Sequence, residues 1–107
     1  MHDLIQIQCT VPSQEVGKAI AKNLIEEKLC ACVNLLPLVT SFYIYEGEYC
    51  EEDESLLLIK TDESHYKAVE HALLELHPYE LPEVIALPIT QVSADYEQWT
   101  KVTLQNN

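Results

Sequence analysis

The chain has 107 residues, enough for one domain that buries roughly 65% of the surface its unfolded form would expose. Hydrophobic residues make up 48% of it, which fits a packed core and excludes a disordered chain. Eighteen acids stand against six lysines, with no arginine and a net charge of −12, so phosphate backbones and anionic membranes are repelled while cations are attracted.

No basic region or long apolar run opens the sequence, and no stretch reaches the length of a spanning helix, so the expected location is the cytoplasm. The four cysteines, Cys9, Cys30, Cys32 and Cys50, are then expected as free thiols.

Leu4 to Val11 alternates, with Ile5, Ile7, Cys9 and Val11 on one side, as a half-buried strand does. Pro12 and Ser13 follow, Ser13 placed as an N-cap. Between Gln14 and about Leu29, a broad apolar stripe of Val16, Ala19, Ile20, Leu24 and Ile25 predicts an amphipathic helix. Gly17 within it costs about 1 kcal/mol relative to alanine, and the sequence offers no reason for its presence.

Ala31 to Tyr45 is rich in strand formers but too long for a flat strand, which predicts a bend or bulge near Pro37. Glu46, Gly47 and Glu48 form a turn, and a return strand is expected from about Ser55 to Lys60. The acidic run Glu51, Glu52, Asp53 and Glu54 lacks the glycine and spacing of a calcium loop and reads as a solvated face. A second helix is expected from Ser64 to Leu76, stopped by Pro78, and a last strand from Pro82 to Ile89. Pro88 argues for an edge position or a bulge. Val92 to Leu104 reads as a terminal helix capped by Ser93 or Asp95, with Tyr96, Trp99 and Thr103 on one side.

Strand, helix, strand, strand, helix, strand is the order of an α+β, ferredoxin-like βαββαβ sandwich, here with an additional C-terminal helix. Both main helices cover one sheet face. The uncovered face and the overlong hairpin predict an oligomer.

The stretch from Leu76 to Glu83 packs two prolines, an imidazole, a phenol and two carboxylates between a helix and a strand, a common setting for function. Cys9 and His77 are ligand types suited to copper or zinc, with thiolate softness favouring Cu(I). A complete site needs three or four ligands, drawn from Glu83, Asp3, His2 or a neighbouring subunit. Cys9 also reads as a small buried hydrophobe on its strand's apolar side. The Cys30 and Cys32 pair has no second pair at zinc-ribbon spacing. Lys60, Tyr79 and Glu83 could do acid–base work, yet no nucleophile motif or phosphate loop accompanies them, so no enzyme is expected.

Several ordered segments resemble one family: Cys9-Thr10-Val11-Pro12, Ala31-Cys32-Val33-Asn34 with Pro37, and Ser41-Phe42-Tyr43 with Gly47. Lys60-Thr61, His77-Pro78-Tyr79, Pro82-Glu83, Tyr96 and Trp99 continue the pattern. Together they resemble the CutA divalent-cation tolerance proteins across the whole chain. That resemblance implies a tight homotrimer built by strand pairing between subunits, weak copper binding and a role in cation tolerance. It implies Cys9 and His77 as metal ligands, with Leu76 where some members carry a second histidine. Tyr43, Lys60, Tyr79, Glu83 and Trp99 are candidates for an intersubunit cleft. The alternative reading is a signalling trimer, similar in architecture to the PII regulators, holding a small effector in such clefts.

Overall fold

In the computed structural model, which describes residues 2–105, the alternation at the N-terminus produces the first strand, β1 (Leu4–Val11). Pro12 ends it, and the Ser13 side chain accepts the Val16 N–H at 3.2 Å to start α1 (Gln14–Glu26). The helix stops three residues before the expected Leu29 because Lys28 turns left-handed (φ 59°), which lets Leu29 N–H donate to Leu24 O at 3.0 Å. Next come β2 (Cys32–Tyr45) and β3 (Glu48–Asp62), a 3-10 turn at Glu63–His65, α2 (Tyr66–Leu76), β4 (Ile85–Pro88) and α3 (Ala94–Gln105).

The four strands make one antiparallel sheet in the order β2-β3-β1-β4. Ile5, Ile7 and Cys9 of β1 and Leu57 and Ile59 of β3 form the core with Ile20 and Leu24 of α1 and Val69 and Leu73 of α2. Gly17 now has a reason. A Cβ there would lie 2.9 Å from Leu35 Cδ1 and 3.2 Å from Val11 Cγ2, so the missing side chain sets how closely α1 approaches the sheet.

The bend expected near Pro37 is present as a register shift between Leu36 and Val39, with Leu38 left-handed (φ 61°) and 90% exposed. The return strand is longer than its residues suggested. It begins at Glu48, and the acidic run is paired with Val39 to Phe42 of β2. A long partner strand supplies the ladder that outweighs the low strand propensity of the acids. Glu54 is consequently 6% exposed, whereas the sequence placed it on a solvated face.

The last strand is shorter than expected, pairing only with Ile5 to Gln8, and Pro88 lies at its end on the sheet's edge. α3 is fastened to the sheet by Lys101, whose ammonium donates to Asp3 and Asp62, while Thr100 and Leu104 are buried. The face opposite α1 and α2 carries Gln6, Gln8, Leu56, Leu58, Leu36, Ile85 and Leu87, facing one another by register. Leu36, Ile85 and Leu87 are 41–46% exposed there. The β2–β3 hairpin extends the molecule to 44 Å and exposes Phe42, Ile44 and Tyr49.

Candidate functional site

The loop after α2 is held against the end of β1 by one side chain. Pro78 forces His77 into an extended conformation, turning its ring inward, where it is 7% exposed. Nε2–H donates to Thr10 O at 2.7 Å, and Nδ1 accepts the Tyr79 N–H at 3.1 Å. Both nitrogens are committed to the backbone, and the pair of bonds defines the tautomer. The rings of His77 and Tyr79 lie 4.6 Å apart.

Tyr79 in turn reaches the hairpin, donating its hydroxyl to Glu54 Oε2 at 2.6 Å. Burial, followed by that hydrogen bond and the Glu54 charge, pushes the phenol far above its usual range, so it stays a donor. Farther out, Tyr45 donates to Glu80 at 3.1 Å, and this bond is the first cause raising the Tyr45 phenol. The loop and the hairpin are thus tied at two points.

Between them lies a cleft of about 650 Å³. Its walls include the rings of Phe42, Tyr43, Tyr45 and Tyr79 and the carboxylates of Glu52, Glu54, Glu80 and Glu83, with no lysine or histidine among the described residues. The cleft therefore attracts cations and repels anions.

Of the residues expected at an intersubunit cleft, Tyr43, Tyr79 and Glu83 line this cleft within the protomer. Lys60 and Trp99 do not: Lys60 of β3 donates to Asn34 of neighbouring β2, and the Trp99 ring lies 5.4 Å from that of Tyr96 on α3, tilted by 43°. Sequence reading missed Glu54, Thr10 and the Tyr45–Glu80 tie. The available signal is the alternation of Cys50, Glu52 and Glu54 along β3, opposite Tyr43, Ser41 and Val39 of β2.

Cys9 is fully buried at the base of this region. Burial first, then the charges of Glu83 and Glu54, push its thiol up to about 12. With that proton held and both His77 nitrogens engaged, the two do not fit a metal ion as they stand in the protomer. Among the described residues no three His, Cys, Asp or Glu side chains come together in a way that would hold one. Cys30 is also buried, and its thiol is raised to about 12 by burial and then by neighbouring Cys32.

Comparison with known proteins places this architecture. The family model described as CutA1 divalent ion tolerance protein matches residues 5–103. The chain belongs to the CutA1 family. A divalent-cation tolerance protein CutA of Thermus thermophilus is 46% identical over 94% of this chain and 96% of its own length. The chloroplastic CutA of Arabidopsis thaliana is 42% identical over 95% of this chain, which spans 56% of that protein. Among solved structures, CutA1 from Oryza sativa superposes with a TM-score of 0.94 at 40% identity, covering 99% of this chain and 97% of that one. CutA from Xylella fastidiosa gives 0.93 at 35% identity over 96% and 99%. The order of strands and helices deduced from the sequence is therefore that of the CutA1 structures.

Proposed function

We propose that this chain is a cytoplasmic, non-enzymatic homotrimer of ferredoxin-like protomers that binds divalent cations, copper among them, and contributes to their tolerance. The observation that carries cation binding is the cleft: among the described residues, four carboxylates and no basic side chain line it. Trimer formation is supported by the uncovered sheet face and by the apolar tip of a hairpin that no other part of the protomer covers. Copper that reaches Cys9 and His77 has to displace the thiol proton and the Thr10 and Tyr79 hydrogen bonds, which weakens binding there. Ligands completing a metal site come, in this reading, from a neighbouring subunit or from the cleft carboxylates.

Light scattering at micromolar concentration tests the assembly: three times the protomer mass is expected, and a monomer refutes it. Calorimetric titration with Cu(II) and Zn(II) tests the function, with saturable binding expected in wild type. Cys9→Ser and His77→Ala are compared with Glu54→Gln. Loss confined to Glu54→Gln locates the cation in the cleft, and loss confined to the first two locates it at Cys9 and His77. No saturable binding in wild type refutes the reading. Fractionation of cells tests the cytoplasmic location. The aromatic walls favour a second reading, a trimer that holds a small organic effector, which stabilisation by a metabolite and not by metals would support.

A further inference from the structure

Glu54 is an unusual carboxylate for its position. It is 94% buried by residue, accepts one hydrogen bond from Tyr79, and no lysine or histidine pairs with it among the described residues. An ionised carboxylate accepts about four hydrogen bonds, and buried charges are ordinarily paired. Here the nearest charges are of the same sign: the cleft also contains Glu52, Glu80 and Glu83. Its carboxylate lines the cleft without a cationic partner among the described residues, which favours a positively charged donor from outside the protomer.

A bare metal ion finds fewer than three converging protein ligands within one protomer among the described residues, so the cleft alone would hold it weakly. The rest of the lining is aromatic. Ring faces attract ammonium groups and cover alkyl carbons, whereas a small divalent ion would remain hydrated against them. The volume, about 650 Å³, lies within the range of small-molecule sites.

We propose that the cleft between the β2–β3 hairpin and the His77–Glu83 loop binds an alkyl amine, its ammonium donating to Glu54 and its carbon chain lying along Tyr43 and Phe42. A second ammonium would meet Glu80 at the mouth, held in place by Tyr45. The proposal rests on the reading of this cleft as a cation site and names the class of cation.

Metal-free, full-length protein is titrated calorimetrically with n-butylammonium and with 1,4-diaminobutane, against sodium chloride of equal ionic strength. Saturable binding is expected for both, tighter for the diamine. Glu54→Gln keeps the Tyr79 hydrogen bond and removes the charge, so affinity should fall about tenfold or more. Tyr43→Ala, at a position 42% exposed and outside the core, should weaken binding about threefold to tenfold without affecting folding. Lys22→Ala, at an exposed position of α1, should bind as wild type does. Heats no different from the salt control, or equal affinity in Glu54→Gln, overturn the proposal; the latter marks general attraction to the −12 charge. If copper binds wild type and loses affinity in Glu54→Gln while the amines do not bind, the cation reading stands and the amine proposal fails. If amines bind and metals do not, the amine proposal and the cleft as a cation site both stand, and the metal part of the proposed function fails.

Discussion

Replacing His77 by alanine should lower the stability of the metal-free protein by about 3 kcal/mol, because the ring serves the backbone. The substitution removes the 2.7 Å donor from the Thr10 carbonyl, which keeps only the weak Cys9 thiol donor at 3.7 Å, and leaves the Tyr79 N–H without its partner at 3.1 Å. An unsatisfied buried group costs about 1–3 kcal/mol, and water entering from the partly open loop keeps each near the lower half of that range. Loss of a buried ring, 7% exposed and packed at a tilt against Tyr79, brings the sum to about 3 kcal/mol. Urea unfolding followed by circular dichroism, at fixed protein concentration and with chelator present, measures it. His77→Gln should recover part of the loss by donating its amide to Thr10. A change below about 0.5 kcal/mol in His77→Ala, or a loss seen only when copper is added, would refute the structural role.

Other outcomes follow from the same geometry. Gly17→Ala gains about 1 kcal/mol of helix propensity but drives a methyl to 2.9 Å from Leu35 and 3.2 Å from buried Val11, so a net loss of about 1 kcal/mol is expected. Combining it with Leu35→Ala should remove most of that conflict in a double-mutant cycle. Native Cys9 and Cys30, both raised to about 12, should resist iodoacetamide at pH 8, whereas half-exposed Cys32 and Cys50 should react, as mass spectrometry can record.

The same two thiols ionise near 8.5 when unfolded, so the stability their burial preserves is fully present below that pH and falls as pH rises toward 12. At acid pH the sign reverses for Asp62. Burial raises its carboxyl, but hydrogen bonds from His65 and Ser64 and the charges of His65 and Lys101 outweigh burial and hold it below the usual range. Its contribution is present above about pH 4 and is lost as pH falls through the lowered value. Asp62→Asn should therefore flatten the acid limb of a pH–stability curve.

The order of elements was legible because most segments carried a clear period or a stop signal: alternation in β1, the apolar stripe of α1, and Pro78 after α2. The lengths of β3 and β4 were less so, since pairing set them. Glu51 to Glu54 read as a solvated face, which holds for exposed Glu51, Glu52 and Asp53, but pairing with the long β2 draws the run into the ladder and buries Glu54. Pro82 to Val84 read as strand by composition, yet β4 pairs with β1 only from Ile5 to Gln8, and Pro82 has no N–H with which to extend the ladder.

At the site, the ends were visible and the connections were not. Tyr43, Tyr79 and Glu83 were identifiable as residue types and do share a cleft. That His77 faces Thr10 across 67 residues, or that Tyr79 crosses to Glu54, depends on tertiary packing which no local pattern encodes. Gly17 is the plainest case: its reason lies in side chains of two other strands and β1 itself.

The central claim is that the acid-lined cleft is where this CutA1-family chain meets a cation. A crystal soaked in copper, with anomalous scattering recorded on both sides of the copper edge, tests it most directly. The account expects a peak among Glu54, Glu83 and their neighbours, with the His77 hydrogen bonds to Thr10 and Tyr79 intact. A peak bridging Cys9 and His77, with those bonds broken, would contradict it.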